Sequence, residues 1–105
     1  NDDLTVPLLS LGAKGVISVL SNVRPKRTLQ MVRACQAGDY AAAGRMQVAL
    51  TPLIDALFSE INPIPVKQAL SLMGIPAGLP RLPLTPLSAT HLPALEQALS
   101  AAPEP

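Results

Sequence analysis

Three lysines, one histidine, one cysteine and two adjacent acids are the side chains through which this 105-residue chain could do covalent or acid–base chemistry. A lysine forms an imine with a carbonyl only when burial or a neighbouring positive charge lowers its pKa. Lys14 stands just ahead of an apolar run, Lys26 near the start of an amphipathic stretch, and Lys67 in the opening turn of a proline-rich helix. None is embedded in an apolar strand, so each reads as a surface charge. His91 has no serine, cysteine or carboxylate at a spacing that would make it a general base, and its place near a helix start suits a cap or a surface role. Cys35 reads as a small buried hydrophobe. As single copies, Cys35 excludes an internal disulfide and a thiolate metal cluster, and His91 excludes a two-histidine metal site. We expect no catalytic residue, no metal site and no cofactor within the chain, and the cysteine usage reads as cytoplasmic.

Gly12-Ala13-Lys14-Gly15 has the look of a phosphate loop, but it precedes an apolar run, whereas a phosphate loop follows a strand and opens a helix. Arg24, Lys26, Arg27 and Arg33 form a basic cluster. A nucleic-acid surface would add stacking aromatics and a larger positive excess; the chain has two aromatics, Tyr40 and Phe58, and a net charge of +1. The cluster therefore reads as a solvated helix face, with no nucleic-acid partner. No apolar run approaches the ~20 residues of a bilayer span, so no membrane partner is expected. With 49% hydrophobic and 14% charged residues, the chain is too apolar for a disordered tail and long enough for one domain.

The elements that must position these groups follow from periodicity and punctuation. Asp2 and Asp3, an apolar stretch and Gly12 predict a short helix from Leu4 to Leu11 with the acids as caps. Gly15-Val16-Ile17-Ser18-Val19-Leu20 reads as a strand buried on both faces, as in a parallel sheet. A buried strand needs partners on both edges, yet no second stretch of this quality exists, so its neighbours are expected outside these residues. Asn1 is not an initiator methionine, and the first residues lack the basic start and apolar core of a signal peptide. The chain thus reads as beginning within a longer sequence.

Pro25 suits the first position of a helix to about Ala37, with Leu29, Val32 and Cys35 or Gln36 on its apolar face. Asp39 caps a longer helix to about Phe58, where Ala43, Met46, Leu50, Leu53, Ile54 and Leu57 recur at helical spacing and Pro52 predicts a bend or break. From Asn62 onward lie nine of the twelve prolines. A helix over Ile64–Met73 closed by Gly74, an extended connector over Gly78–Ser88, a last helix over Leu92–Ala101 capped by Thr90, and a fraying tail from Ala102 complete the expectation.

Three stretches carry a family likeness: Asp2-Asp3 with LTVPLLSLGAKGVISVLSNVRP, then Asn62-Pro-Ile-Pro-Val-Lys67, then Arg81-Leu-Pro-Leu-Thr-Pro-Leu87. Together they resemble the C-terminal part of the dihydrodipicolinate synthase family; the first is shared in looser form by sister Schiff-base lyases such as N-acetylneuraminate lyase. The resemblance implies an α/β fold, the (β/α)8 TIM barrel, of which residues 1–38 supply the seventh helix, eighth strand and eighth helix, and residues 39–105 a C-terminal helical extension. It implies a lyase of lysine biosynthesis that condenses pyruvate, held as a lysine Schiff base, with aspartate semialdehyde, in a homo-oligomer, commonly a tetramer. The imine-forming lysine, the tyrosine relay and the arginine that meets the aldehyde then lie upstream of Asn1. What carries over is Ile17, which resembles the residue of the eighth strand that contacts pyruvate through its backbone. Asn1 stands where the family usually has the glycine of a Gly-Asp-Asp turn on the pocket floor. On this reading the isolated chain is inactive and needs the rest of the barrel as partner. The alternatives are a sister aldolase acting on sugar acids and a non-catalytic helical fragment.

Overall fold

Local signals set most helix boundaries in the computed structural model, which describes residues 1–105. Five helices follow one another: α1 Thr5–Ser10, α2 Pro25–Gln36, α3 Tyr40–Leu57, α4 Ile64–Leu72 and α5 Leu92–Ala101, with 3₁₀ turns at Asp2–Leu4 and Leu20–Asn22. Pro25 occupies the first turn of α2, where its missing N–H costs nothing. The Asp39 carboxylate accepts a hydrogen bond from the Ala42 N–H at 2.9 Å and caps α3. Gly38 and Gly74 follow α2 and α4 with φ of 81° and 77°, a left-handed geometry that stops a helix without a Cβ penalty. Pro52 lies inside α3, which nevertheless runs as one element to Leu57. The Asn62–Pro63 and Leu82–Pro83 peptide bonds are cis.

The helices share one apolar core. Leu50, Leu53, Ile54 and Leu57 of α3 meet Met31 of α2, Val66 and Ala69 of α4, and Leu95, Ala98 and Leu99 of α5, with Leu20 and Val23 closing the cluster. A smaller cluster joins Leu9, Cys35 and Ala43. The α3 spacing thus buries the predicted face. In α2 the outcome differs: Thr28, Met31 and Cys35 turn inward, while Leu29 is exposed and Val32 half-buried. The Leu29–Val32 side instead borders a hollow with Gly15 and Val16.

No strand forms. Residues 13–18 have no regular secondary structure, and Leu20 belongs to a 3₁₀ turn. The expected burial on both faces is also absent: Ile17 is fully exposed and Val16 half-buried. The physical reason lies in pairing. No hydrogen bond uses a backbone N–H or C=O of Lys14, Gly15, Val16 or Ile17, and a strand exists only through the ladder on its edges. Beside this segment, α1 turns Leu9 inward, while Leu8 and the residues at its two caps, Leu4 and Leu11, are exposed at helical spacing.

Two other expectations are corrected. The basic cluster is not a uniformly solvated face: Arg24 is 6% exposed. Its guanidinium donates to the carbonyls of Leu99 (2.7 Å), Ala102 and Val23 (2.7 Å). The tail does not fray. Arg27 donates to Pro103 O, the Lys26 N–H to Glu104 Oε2 at 3.2 Å, and Lys26 Nζ to Pro105 O at 3.2 Å. Glu104 thereby places its carboxylate at the N-terminus of α2, whose first turn has no acidic residue of its own.

Candidate functional site

The site is built around Asp2, a residue the sequence suggested as a cap for its own helix. In the structure Asp2 opens the 3₁₀ turn Asp2–Leu4, whose N-cap position, Asn1, makes no side-chain cap bond, and α1 has Leu4 at its N-cap position. The Asp2 carboxylate, on a residue 1% exposed, instead reaches across the chain. It accepts hydrogen bonds from Ser18 Oγ at 2.5 Å, the Val19 N–H at 2.9 Å and the Leu20 N–H at 3.0 Å. Ser18 Oγ in turn accepts from the Ser21 N–H at 2.9 Å. The carboxylate therefore satisfies donors at the start of the 3₁₀ turn, as a cap delivered from sixteen to eighteen residues away.

Asp2 is itself held from behind. Its backbone carbonyl accepts from Thr5 Oγ1 at 3.0 Å and from Gln47 Nε2 at 3.0 Å. Gln47 Oε1 accepts from the Val6 N–H at 3.2 Å, so one buried amide of α3 ties down two backbone groups at the start of α1. A signal for this was present: Gln47 is a polar side chain in register with Ala43, Leu50 and Ile54, on the face that α3 buries. Arg24, also missed, carried no comparable signal within an otherwise basic stretch.

Ile17 immediately precedes this anchored turn. It stands on the lip of a groove of about 550 Å³ whose one wall is Ile17, Ser18, Val19 and Asn22 and whose other wall is Asn62, Pro63, Val66, Lys67, Leu70 and Ala77. Two of the three diagnostic stretches, GVISVLSN and NPIPVK, thus meet across one groove. The third, Arg81–Leu87, lies apart from it and contributes Leu87 to the edge of the core.

The remaining candidates are dispersed. Lys14 and Lys26 are exposed and Lys67 is half-buried on the groove wall. Lys14 and Tyr40 border a separate hollow of about 320 Å³, with Cys35 among its lining residues. Burial raises the Cys35 thiol pKa, so this cysteine behaves as the expected buried hydrophobe. His91, not Thr90, takes the N-cap position of α5 without a side-chain bond. His91 Nε2 lies 3.8 Å from Glu60 Oε1, and the Ser88 N–H donates to the same oxygen at 2.9 Å. The Ser88 hydroxyl and N–H, aided by His91, hold the Glu60 carboxyl below its ordinary value. Burial lowers the Arg24 pKa, against the opposing charge of Glu104. The chain offers a positioned backbone segment and a mostly apolar groove wall that carries Asn62 and Lys67. The three lysines and Cys35 stand apart from one another, and His91 faces the Glu60 carboxylate away from the groove.

The model of the Dihydrodipicolinate synthetase family matches residues 1–102, and the chain belongs to that family. A 4-hydroxy-tetrahydrodipicolinate synthase of an Exiguobacterium species is 52% identical over 101 residues, covering 92% of this chain and 34% of that protein. A crystal structure of a dihydrodipicolinate synthase superposes with a TM-score of 0.93 at 49% identity, over 95% of this chain and 35% of the other. The chloride-inhibited Acinetobacter baumannii enzyme, crystallised in complex with pyruvate, gives 0.89 at 40% identity, over 95% and 34%. The chain spans about a third of the length of the curated relatives it matches.

Proposed function

We propose that the chain is the C-terminal portion of a (β/α)8-barrel lyase. The full barrel condenses pyruvate, held as an imine on a lysine of the upstream portion, with aspartate semialdehyde in lysine biosynthesis. Residues 1–38 then form the end of the barrel, with α1 and α2 as its seventh and eighth helices and residues 15–20 as its eighth strand. Residues 39–105 form the helical extension. The reaction runs in the cytoplasm, in a homo-oligomer. Ile17 meets pyruvate through its backbone, at the carboxyl half of its strand, where barrel enzymes bind substrate. The chain on its own is inactive, because no lysine in it occupies a desolvated site.

A single observation carries this reading: four consecutive residues, Lys14–Ile17, leave every backbone N–H and C=O free. Apolar side chains of Leu8 on α1, of Leu4 and Leu11 just outside its two ends, and of Leu29 on α2 stand exposed. Free ladder groups beside uncovered leucines are what a strand and its two helices look like without neighbouring strands. The A. baumannii enzyme's complex with pyruvate supports the choice of substrate.

The test mixes this chain with a polypeptide comprising the upstream two thirds of the Exiguobacterium relative. Pyruvate and borohydride are added, and intact masses are read under denaturing conditions. The expected result is a reduced pyruvate adduct on the upstream polypeptide only, with condensation activity in the mixture and in neither part alone. An adduct on this chain would overturn the assignment of the lysine. A monodisperse chain that restores no activity would overturn the barrel reading and favour a helical module.

A further inference from the structure

We infer that Asp2 is a positioning residue, the one that sets where the Ile17 backbone stands; this rests on the proposed Ile17–pyruvate contact. The residues leading up to Ile17 have no hydrogen-bonded partner in the chain. The first fixed point after them is Ser18, whose hydroxyl donates to the Asp2 carboxylate at 2.5 Å. The next two amides, Val19 and Leu20, donate to its other oxygen at 2.9 and 3.0 Å. One buried side chain therefore fixes three consecutive residues directly after Ile17.

The clamp is rigid at its own base as well. Thr5 Oγ1 and Gln47 Nε2 both hold the Asp2 carbonyl, and Gln47 belongs to the core helix α3. A displacement of the Asp2 main chain would therefore have to break its ties to α1 and α3. Neighbouring strands can fix the lateral place of Lys14–Ile17, but the depth at which Ile17 emerges into the groove is set from its carboxyl side. A carboxylate suits this task because it accepts several donors at once. An asparagine at the same place would keep the two amides only by turning its NH₂ toward Ser18 Oγ, which would have to rotate from donor to acceptor, and every bond it kept would lose its charge assistance. Contact with substrate is not part of the role: Asp2 acts through Ser18, Val19 and Leu20.

The experiment has two readouts on Asp2→Asn. Amide hydrogen exchange on the whole 105-residue chain reports the clamp; steady-state kinetics on the mixture with the upstream polypeptide report pyruvate use. The Val19 and Leu20 amides are expected to exchange at least about tenfold faster, and the KM for pyruvate to rise about tenfold while kcat changes by less than about threefold, a tenfold change being ~1.4 kcal/mol. Ser18→Ala removes one donor, keeps both amide bonds, and is expected to move both readouts less in the same direction; it serves if Asp2→Asn does not fold. Unchanged exchange at Val19 and Leu20 in a folded Asp2→Asn chain overturns the proposal and leaves the pyruvate contact standing. Faster exchange with an unchanged KM counts against the Ile17 contact itself, and the proposal falls with it. A change in kcat alone, without one in KM, also overturns it.

Discussion

Replacing Arg24 by alanine should unfold the junction between the two ends of the chain. The guanidinium donates to Leu99 O and Ala102 O at the end of α5 and to Val23 O. A hydrogen bond from a charged donor contributes about 1.5–3 kcal/mol, and two of these bonds serve carbonyls that a helix end leaves without intrahelical partners. Against this stands the cost of keeping a guanidinium out of water, several kcal/mol, which the mutation would recover. Removing one member of a buried charged cluster still comes out strongly unfavourable, because the orphaned carbonyls stay buried. A net loss of about 3 kcal/mol follows, and for a domain of this size each kcal/mol moves the melting point by roughly 4–8 °C, so Tm should fall by about 12–24 °C. Arg24→Lys keeps the charge but offers no rigid fork, and should recover less than half of the loss. Thermal melts followed by circular dichroism, with urea midpoints at constant m to confirm that stability and not compactness changed, make the measurement. An Arg24→Ala chain melting within about 3 °C of the parent would refute the clamp and return Arg24 to the solvated cluster that the sequence suggested.

Two further expectations concern titration and reactivity. Glu60 has its pKa held below the ordinary value of about 4.5, so its contribution is complete above that value and is lost as pH falls through the lowered one. The urea midpoint should therefore decline as pH falls below the ordinary carboxylate value, and Glu60→Gln should flatten part of that decline; an identical acid limb in the variant would exclude Glu60 as a contributor. Cys35, buried and with a raised pKa, should react with a disulfide reagent at neutral pH only as fast as the chain opens. Addition of denaturant should release the full thiol count at once, whereas rapid labelling of the native chain would show that the thiol is not sequestered.

What could be read from the residues was whatever local chemistry decides. Pro25, Gly38, Asp39 and Gly74 announce helix ends because φ, a missing N–H or a side-chain acceptor acts within a turn of the chain. The α3 stripe was legible because one helix face faces one core. The errors share a cause: they involve groups whose partners lie far along the sequence. Asp2 looked like a local cap, yet its partners are Ser18, Val19 and Leu20. Arg24 looked solvated, yet it meets residues 75 and 78 positions away. The tail looked free because nothing near it in sequence binds it. Residues 15–20 are the converse case: the pattern describes a strand, and the chain holds no strand to pair with it. In α2, sequence alone could not tell which of two partly apolar faces this chain would use.

The hydrogen bonds of Asp2 and Arg24 have a consequence for the connectivity of the fold. Asp2 grips Val19 and Leu20, and Arg24, four residues after Leu20, grips Ala102. A 3₁₀ turn advances only about 2 Å per residue, so the first and last parts of the chain converge on opposite ends of one short turn. A cut in the exposed Gly78–Ser88 connector would therefore leave α5 attached to the rest of the fold, through the hold of Arg24 on Leu99 and Ala102 and through the core that Leu95, Ala98 and Leu99 share with α3.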